Sequence, residues 1–175
     1  MSLDFVTKEF VFLQKEYSFT DPIGWNWGRE LHWTYFKKNL YVDIAFDGVY
    51  MVSVGRTKIH NPELISGKTK LSEIPVEDRD SYDVELLIPR EIRFPFSFSG
   101  KYWTNLTPIE RTLLHEHRSR YESQYYSLSA QARLLRENPQ VLKGDWKLFY
   151  SAKKGSLGFW LSIKNIIRRL TSRSS

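Results

Sequence analysis

Hydrophobic residues at the start of the chain recur at the spacing of an amphipathic helix. The stripe consists of Val6, Phe10, Leu13 and Tyr17, with charged residues between its members. Intervals of three and four residues place these side chains on one face of a helix. The pattern predicts an N-terminal helix that ends near Ser18.

The hydrophobic period changes to two after Glu30, which is the period of a half-buried β-strand. Three strands are predicted, over Leu31 to Tyr35, Leu40 to Phe46 and Val49 to Val54. The preceding Trp25-Asn26-Trp27-Gly28 segment is predicted to form an aromatic loop, because glycines flank it.

Asp47-Gly48 predicts a two-residue type I′ turn between the last two strands. This turn would place Phe46 opposite Val49, and Ile44 opposite Met51. The second face of the sheet would then carry Tyr41, Tyr50, Val52 and Val54. Such a partly apolar face predicts a cover, either by later chain or by a partner.

A helix start is encoded at Thr107-Pro108-Ile109-Glu110, where the threonine is the N-cap and the glutamate completes a capping box. Apolar residues then recur every seven positions, up to a stop at Asn138-Pro139. Thirty residues is long for a globular helix, so a break is expected near Ser127 or Ser129. A strand is predicted from Val84 to Ile88.

Two further segments are predicted with less regular patterns. Phe94 to Ser99 alternates apolar and small residues, and Pro95 restricts it to an edge strand or an extended loop. Trp146 to Tyr150 is a short apolar element of either type. The predicted fold class is α+β, with an antiparallel sheet, an N-terminal helix, a long central helix and a C-terminal amphipathic helix in one domain over residues 1–175.

The C-terminal helix is predicted over residues 157–171, with basic side chains beside its apolar stripe. These basic residues are Lys164, Arg168, Arg169 and Arg173. Docking on the domain and binding to an anionic membrane or an acidic partner are the two predicted placements.

Composition limits the function classes. The net charge of +6 comes from the last 25 residues, which contain six basic residues and no acid, so the body is not expected to bind nucleic acid. The chain has no cysteine, which excludes disulfides and thiolate metal sites. The start of the chain lacks the basic and apolar regions of a secretory signal, and no uncharged apolar run approaches the roughly 18 residues of a membrane span, so a cytoplasmic location is expected.

Candidate catalytic residues lack the spacing that catalysis or metal binding requires. His115-Glu116-His117 cannot share a metal on a helix, because residues two apart point about 200° away from each other. Asp43, Asp83 and Glu85, with help from His115, are the possible members of a divalent-metal nuclease or phosphodiesterase site. Neither a cofactor nor a metal is predicted.

Aromatic residues suggest a binding surface instead. Trp25 and Trp27, with Trp33 and Tyr35, are predicted to form either a platform for a partner or a core cluster. The predicted partner-binding residues are Trp25, Trp27, Tyr41, Tyr50 and Val52.

Three segments resemble small bacterial immunity-type proteins of polymorphic or contact-dependent toxin systems. They are Glu9-Phe10-Val11-Phe12-Leu13 with Tyr17-Ser18-Phe19, then Val42-Asp43-Ile44-Ala45-Phe46-Asp47, and then Leu134-Leu135 with Asn138-Pro139 and Leu142-Lys143-Gly144-Asp145. The resemblance implies a stoichiometric inhibitor that binds a cognate toxin domain in the cytoplasm. The predicted function is thus a non-enzymatic protein-binding module. A metal-dependent nuclease and a peripheral membrane-associated binding protein are the alternatives.

Overall fold

A computed structural model describes residues 3–58, 70–89, 92–93 and 106–150. The helices are α1 (Leu3–Tyr17), α2 (Pro108–Tyr121) and α3 (Leu128–Glu137). The strands are β1 (Ile23–Trp27), β2 (Glu30–Lys37), β3 (Leu40–Phe46), β4 (Tyr50–Thr57) and β5 (Arg79–Asp83). They form one antiparallel sheet in sequence order, so the predicted α+β class is confirmed.

Some predictions lie outside the described residues. These are the C-terminal helix over 157–171 with its four basic side chains, and the extended segment from Phe94 to Ser99. In the described part of the chain, the helices are too short or too polar to cross a bilayer.

Helix α1 follows the predicted stripe and ends where the pattern ends. Val6, Phe10 and Leu13 are fully buried against the sheet. Ser18 adopts a positive φ of 59°, and the next amide, of Phe19, donates to the Leu13 carbonyl at 3.0 Å. A left-handed residue with such a bond is a common helix C-terminus.

The predicted two-residue turn between β3 and β4 is wrong, and the true loop length changes the register of the two strands. The loop has three residues, because Phe46 pairs with Tyr50 and Ile44 pairs with Val52. Gly48 supplies one positive φ, of 74°, whereas a type I′ turn needs two. A one-residue change of register moves every side chain of a strand to the opposite face.

This register turns the apolar residues of β4 towards the helices. Tyr50, Val52 and Val54 lie beside Phe46, Ile44 and Val42 respectively. The prediction that Tyr41, Tyr50, Val52 and Val54 share one face is therefore wrong. We call the helix-covered side of the sheet the inner face and the opposite side the outer face. Tyr41 lies on the outer face, whereas the three β4 residues lie on the inner face.

The inner face is the main core. Helices α1 and α3 and the helical residues 147–150 pack against it. Its fully buried members include Phe10, Leu13, Tyr35, Val42, Ile44, Ala132, Leu135 and Phe149. Gln131 of α3 is buried among them, and its amide binds the edge of β4: the Val52 N–H donates to Oε1 at 3.0 Å, and Nε2 donates to the Tyr50 carbonyl at 3.2 Å.

The predicted capping box and helix break are both confirmed. The Thr107 hydroxyl accepts from the Glu110 amide at 3.2 Å, and the Glu110 carboxylate accepts from the Thr107 amide at 2.7 Å. A π-helical turn, Glu122–Tyr126, follows α2. The chain is then extended at Ser127, whose side chain caps α3.

Two element assignments from the sequence are corrected. The predicted aromatic loop from Trp25 to Gly28 is strand β1 and its turn. The predicted strand from Val84 to Ile88 is a 3₁₀ helix, Val84–Leu87, and the extended residue Ile88 follows it. Val84 and Ile88 are both buried in the core, which either a strand or a helix could achieve at this spacing. The strand in this region is β5, just before this 3₁₀ helix.

Candidate partner-binding surface

The outer face of the sheet has a covered end and an open end. At the covered end, Leu71 of the 3₁₀ helix Leu71–Glu73 packs with Phe36 and Tyr41. The β1–β2 and β3–β4 turns lie together at the other end, because the strands form a meander. The two ends are joined by a row of buried polar side chains.

A hydrogen-bonded chain centred on Asp43 forms this row. The Trp25 indole Nε1 donates to the Thr34 hydroxyl at 2.8 Å, and that hydroxyl donates to Asp43 Oδ1 at 2.6 Å. The second oxygen, Oδ2, lies 2.8 Å from His32 Nδ1. Thr34, His32 and Asp43 are all buried, so their partners within the network replace water.

His32 lies between two carboxylates and under an indole ring. Its Nε2 is 3.2 Å from Glu30 Oε2, and the Trp25 ring stacks on the imidazole with a centroid distance of 3.9 Å. Burial, the largest influence, lowers the pKa of His32. The hydrogen bonds and charges of Asp43 and Glu30 outweigh burial and raise the pKa above its usual 6.5. The two carboxylates thus stabilise the imidazolium form relative to a free histidine.

The hydrogen bonds of this network join side chains of the three neighbouring strands β1, β2 and β3. Both imidazole nitrogens face carboxylates, and the Thr34 hydroxyl donates to Asp43, so His32 and Thr34 are not paired as base and nucleophile. Within the described ranges, no group of three or more His, Asp or Glu side chains has the geometry of a metal site.

Exposed side chains surround the open end of this network. We define the turn-end patch as Trp27, Glu30, Val49 and Met51. Trp27 is 64% exposed, Val49 is 48% exposed and Met51 is 38% exposed. Trp27 is paired with Glu30, and Met51 is paired with Ala45, which in turn faces His32 across β2 and β3. An indole, a thioether and a carboxylate therefore lie on the same face of the sheet.

The structure brings one of the predicted partner-binding residues fully to the surface. Trp27 is exposed, whereas Trp25, Tyr41 and Val52 are buried. Tyr50 is half-buried and packs on Phe46, with ring centroids 5.0 Å apart. The correction for Tyr41 and Val52 follows from the register, which separates them onto opposite faces.

The four residues considered for a metal-dependent nuclease are not assembled into one site. Asp43 and Asp83 flank Ser53 on neighbouring strands, which separates them by about 10 Å. Glu85 lies 2.5 Å from the Arg118 guanidinium of α2. Burial raises the pKa of Glu85 and the Arg118 charge opposes that shift. His115 is exposed on α2 and bonds to a serine one turn away.

Sequence reasoning missed the network around His32. The available signal was the run of polar residues at alternate positions, Glu30, His32 and Thr34, opposite apolar residues of the inner face. Their link to Asp43 depends on the β2–β3 register, in which Thr34 pairs with Asp43. A two-residue turn sets that register, and Lys38 supplies its positive φ of 54°. Lysine gives little sign of such a turn.

Comparison with known proteins adds no relative that shares this surface. No protein-family model, no curated protein and no solved structure matches the chain. Function must therefore be inferred from the side chains of the outer face.

Proposed function

We propose that the protein is a non-enzymatic protein-binding module that acts in the cytoplasm as an immunity-type inhibitor of a cognate toxin. The turn-end patch is its contact surface. The observation that carries the proposal is the exposure of Trp27, Val49 and Met51 around a buried, hydrogen-bonded polar network. The resemblance of three segments to immunity-type proteins agrees with this function.

The chemistry of the turn-end patch suits a protein partner. Tryptophan is enriched among the residues that dominate binding energy, because it buries a large area with few rotatable bonds. Methionine adapts its flexible side chain to an irregular partner surface. Trp27 and Met51 can supply these contacts, while Glu30 marks the polar side of the patch.

The network below the patch reduces the cost of binding. Trp25 is fixed by stacking on His32 and by its hydrogen bond to Thr34, so the surface next to Trp27 is already ordered before a partner arrives. A surface that is ordered in the free protein loses less conformational entropy on association. Tight, stoichiometric binding is expected from such a surface.

Co-expression with the product of the gene immediately upstream tests the function. We expect relief of the growth arrest which that product causes, and a stoichiometric complex on size-exclusion chromatography. The double variant Trp27→Ala, Met51→Ser should weaken the complex at least about tenfold, because it removes the apolar anchors of the patch.

A double variant of two exposed apolar residues on α2, Ile109→Ala and Leu113→Ser, is the matched control. It should bind like the wild type. Equal binding by the Trp27/Met51 variant would contradict the assigned surface. An upstream gene that encodes a metabolic enzyme, with no effect of this protein on its activity, would contradict the inhibitor function.

A further inference from the structure

Trp27 and Glu30 form a directly opposed cross-strand pair at the outermost row of the outer face. Side chains in such a pair stand on the same face, with Cβ atoms about 5 Å apart. The indole of Trp27 is largely exposed, and the Glu30 side chain is 37% exposed. The pair therefore offers an accessible aromatic ring beside an accessible carboxylate.

The charge of the network makes this pair attractive to a cation. Two carboxylates, Asp43 and Glu30, contact one imidazole, so the group carries excess negative charge whether or not the ring is protonated. Asp43 is buried and uses both oxygens on Thr34 and His32. The accessible part of the excess charge thus lies on Glu30.

Glu30 also has room for a second partner. Its Oε2 faces His32, and within the described ranges it forms no ion pair with another cation. The structure gives Arg29, in the adjoining turn, no ion pair with Glu30 and no stacking contact with Trp27. The His32 contact holds the carboxylate in place beside the ring.

We propose that Trp27 and Glu30 bind an arginine side chain of the protein partner. The inference rests on the proposed function and names the chemistry that the patch recognises. A planar guanidinium can stack on the indole face and donate at its edge to the Glu30 carboxylate. A lysine ammonium would meet the same charge but would not stack as a plane, so arginine is the better fit.

The test uses the full chain and three acetylated, amidated tripeptides, Gly-Arg-Gly, Gly-Lys-Gly and Gly-citrulline-Gly. Citrulline keeps the shape of arginine without its charge. The indole N–H signal of Trp27, assigned with a Trp27→Phe variant, follows binding by NMR. We expect saturable shifts with the arginine peptide, with a Kd on the order of tens of millimolar, and weaker binding of the other two.

Glu30→Gln should weaken arginine binding about three- to fivefold, since glutamine keeps the shape but loses the charge. Trp27→Ala should weaken it to a similar degree, as read from the backbone amide of Glu30. The matched controls, Glu116→Gln and Ile109→Ala on exposed positions of α2, should leave it unchanged. Unchanged circular dichroism and thermal midpoint would show that all four variants keep the fold.

Binding of the citrulline or lysine peptide as tightly as the arginine peptide would overturn the assignment. The same holds for arginine binding that Glu30→Gln leaves unchanged. The peptide-binding test and the test of the proposed function can fail independently of each other. Peptide binding without a toxin partner would refute only the proposed function, whereas a toxin complex without arginine dependence would refute only this inference.

Discussion

The two faces of the sheet are built on different physical principles. The inner face buries apolar side chains such as Val42, Ile44 and Val52 under helices, which stabilises the fold through the hydrophobic effect. The outer face buries the polar side chains of His32, Thr34 and Asp43. A buried ion pair adds little net stability over a well-packed apolar group, because desolvation offsets its attraction.

The difference assigns separate roles to the faces. Stability is concentrated on the inner face, while the outer face holds side chains in a defined geometry next to the exposed Trp27 and Met51. Within the outer face, Leu71 covers one end, whereas Trp27 and Met51 at the turn end are exposed. Three variants test this difference between the two faces.

The largest effect is expected at Gly55, on the outer face, where the Tyr41 ring occupies the space of an added side chain. A Cβ at this position would lie 2.0 Å from Tyr41 Cζ and 2.5 Å from the Asp80 carbonyl. Gly55→Ala should therefore lower the free energy of unfolding by about 3 kcal/mol, because the Tyr41 ring and a backbone strand must both shift. Urea denaturation measures the loss.

Gly24→Ala is the matched control. The atom nearest to its added Cβ would be the His32 carbonyl oxygen, at 4.0 Å, which is an ordinary van der Waals contact. Stability should change by less than about 0.5 kcal/mol. Equal stability of the two variants would show that Tyr41 does not need the space above Gly55, and that the covered end is loosely packed.

Much of the inner face could be predicted from the sequence, because it follows local periodicity. The α1 stripe, the Thr107 capping box and the break at Ser127 are properties of short segments, and all three are confirmed. The β3–β4 turn could not be predicted, since Asp47-Gly48 fits a loop of two or three residues. The longer loop places Val52 beside Ile44 in the core, and that burial decides the register.

The outer-face network depends on contacts between strands, so single segments carry little sign of it. His32 reaches Asp43 across eleven residues, and Trp25 reaches Thr34 across nine. Strand β1 was also missed, because Gly24 and Asn26 disfavour a strand while their neighbours alternate. The exposure of Trp27 agrees with one of the two interpretations of the tryptophan cluster, a platform for a partner, and the burial of Trp25 agrees with the other, a core cluster.

An intermediate effect is expected at Gln131, where α3 meets the sheet. The side-chain amide of Gln131 makes hydrogen bonds to β4 of the kind that a neighbouring strand would make. Strand β5 pairs with β4 only from Ser53 onwards, and the Gln131 amide binds Val52 and Tyr50 on the unpaired part of that edge. Gln131→Leu should cost about 2 kcal/mol, because it leaves a buried N–H without an acceptor. Thermal or urea unfolding measures it.

Gln124→Leu, an exposed glutamine on the π-helical turn, is the comparison for this variant. It should alter stability by less than about 0.5 kcal/mol. If Gln131→Leu were equally mild, the edge of β4 would not depend on the helix layer. Hydrogen exchange of the Val52 amide gives a local readout, and it should become faster in Gln131→Leu alone.

The smallest effect is the pH dependence of stability that His32 gives to the outer face. The pKa of His32 is raised in the folded protein, so the native state holds this proton more tightly than the unfolded chain does. The stabilisation is fully present below the unfolded pKa of about 6.5 and is lost as pH rises through the higher folded pKa. Asp43, Glu30 and Trp25 contact the ring, and the two carboxylates are its charged neighbours. Wild-type stability should therefore decline as pH rises above about 6.5 and through the higher folded pKa of His32, and His32→Gln should flatten this decline. The exposed His115→Gln serves as the control and should keep the wild-type slope. An unchanged slope in His32→Gln would mean that the outer-face network does not depend on a charged imidazole, and that Glu30 is held by packing instead.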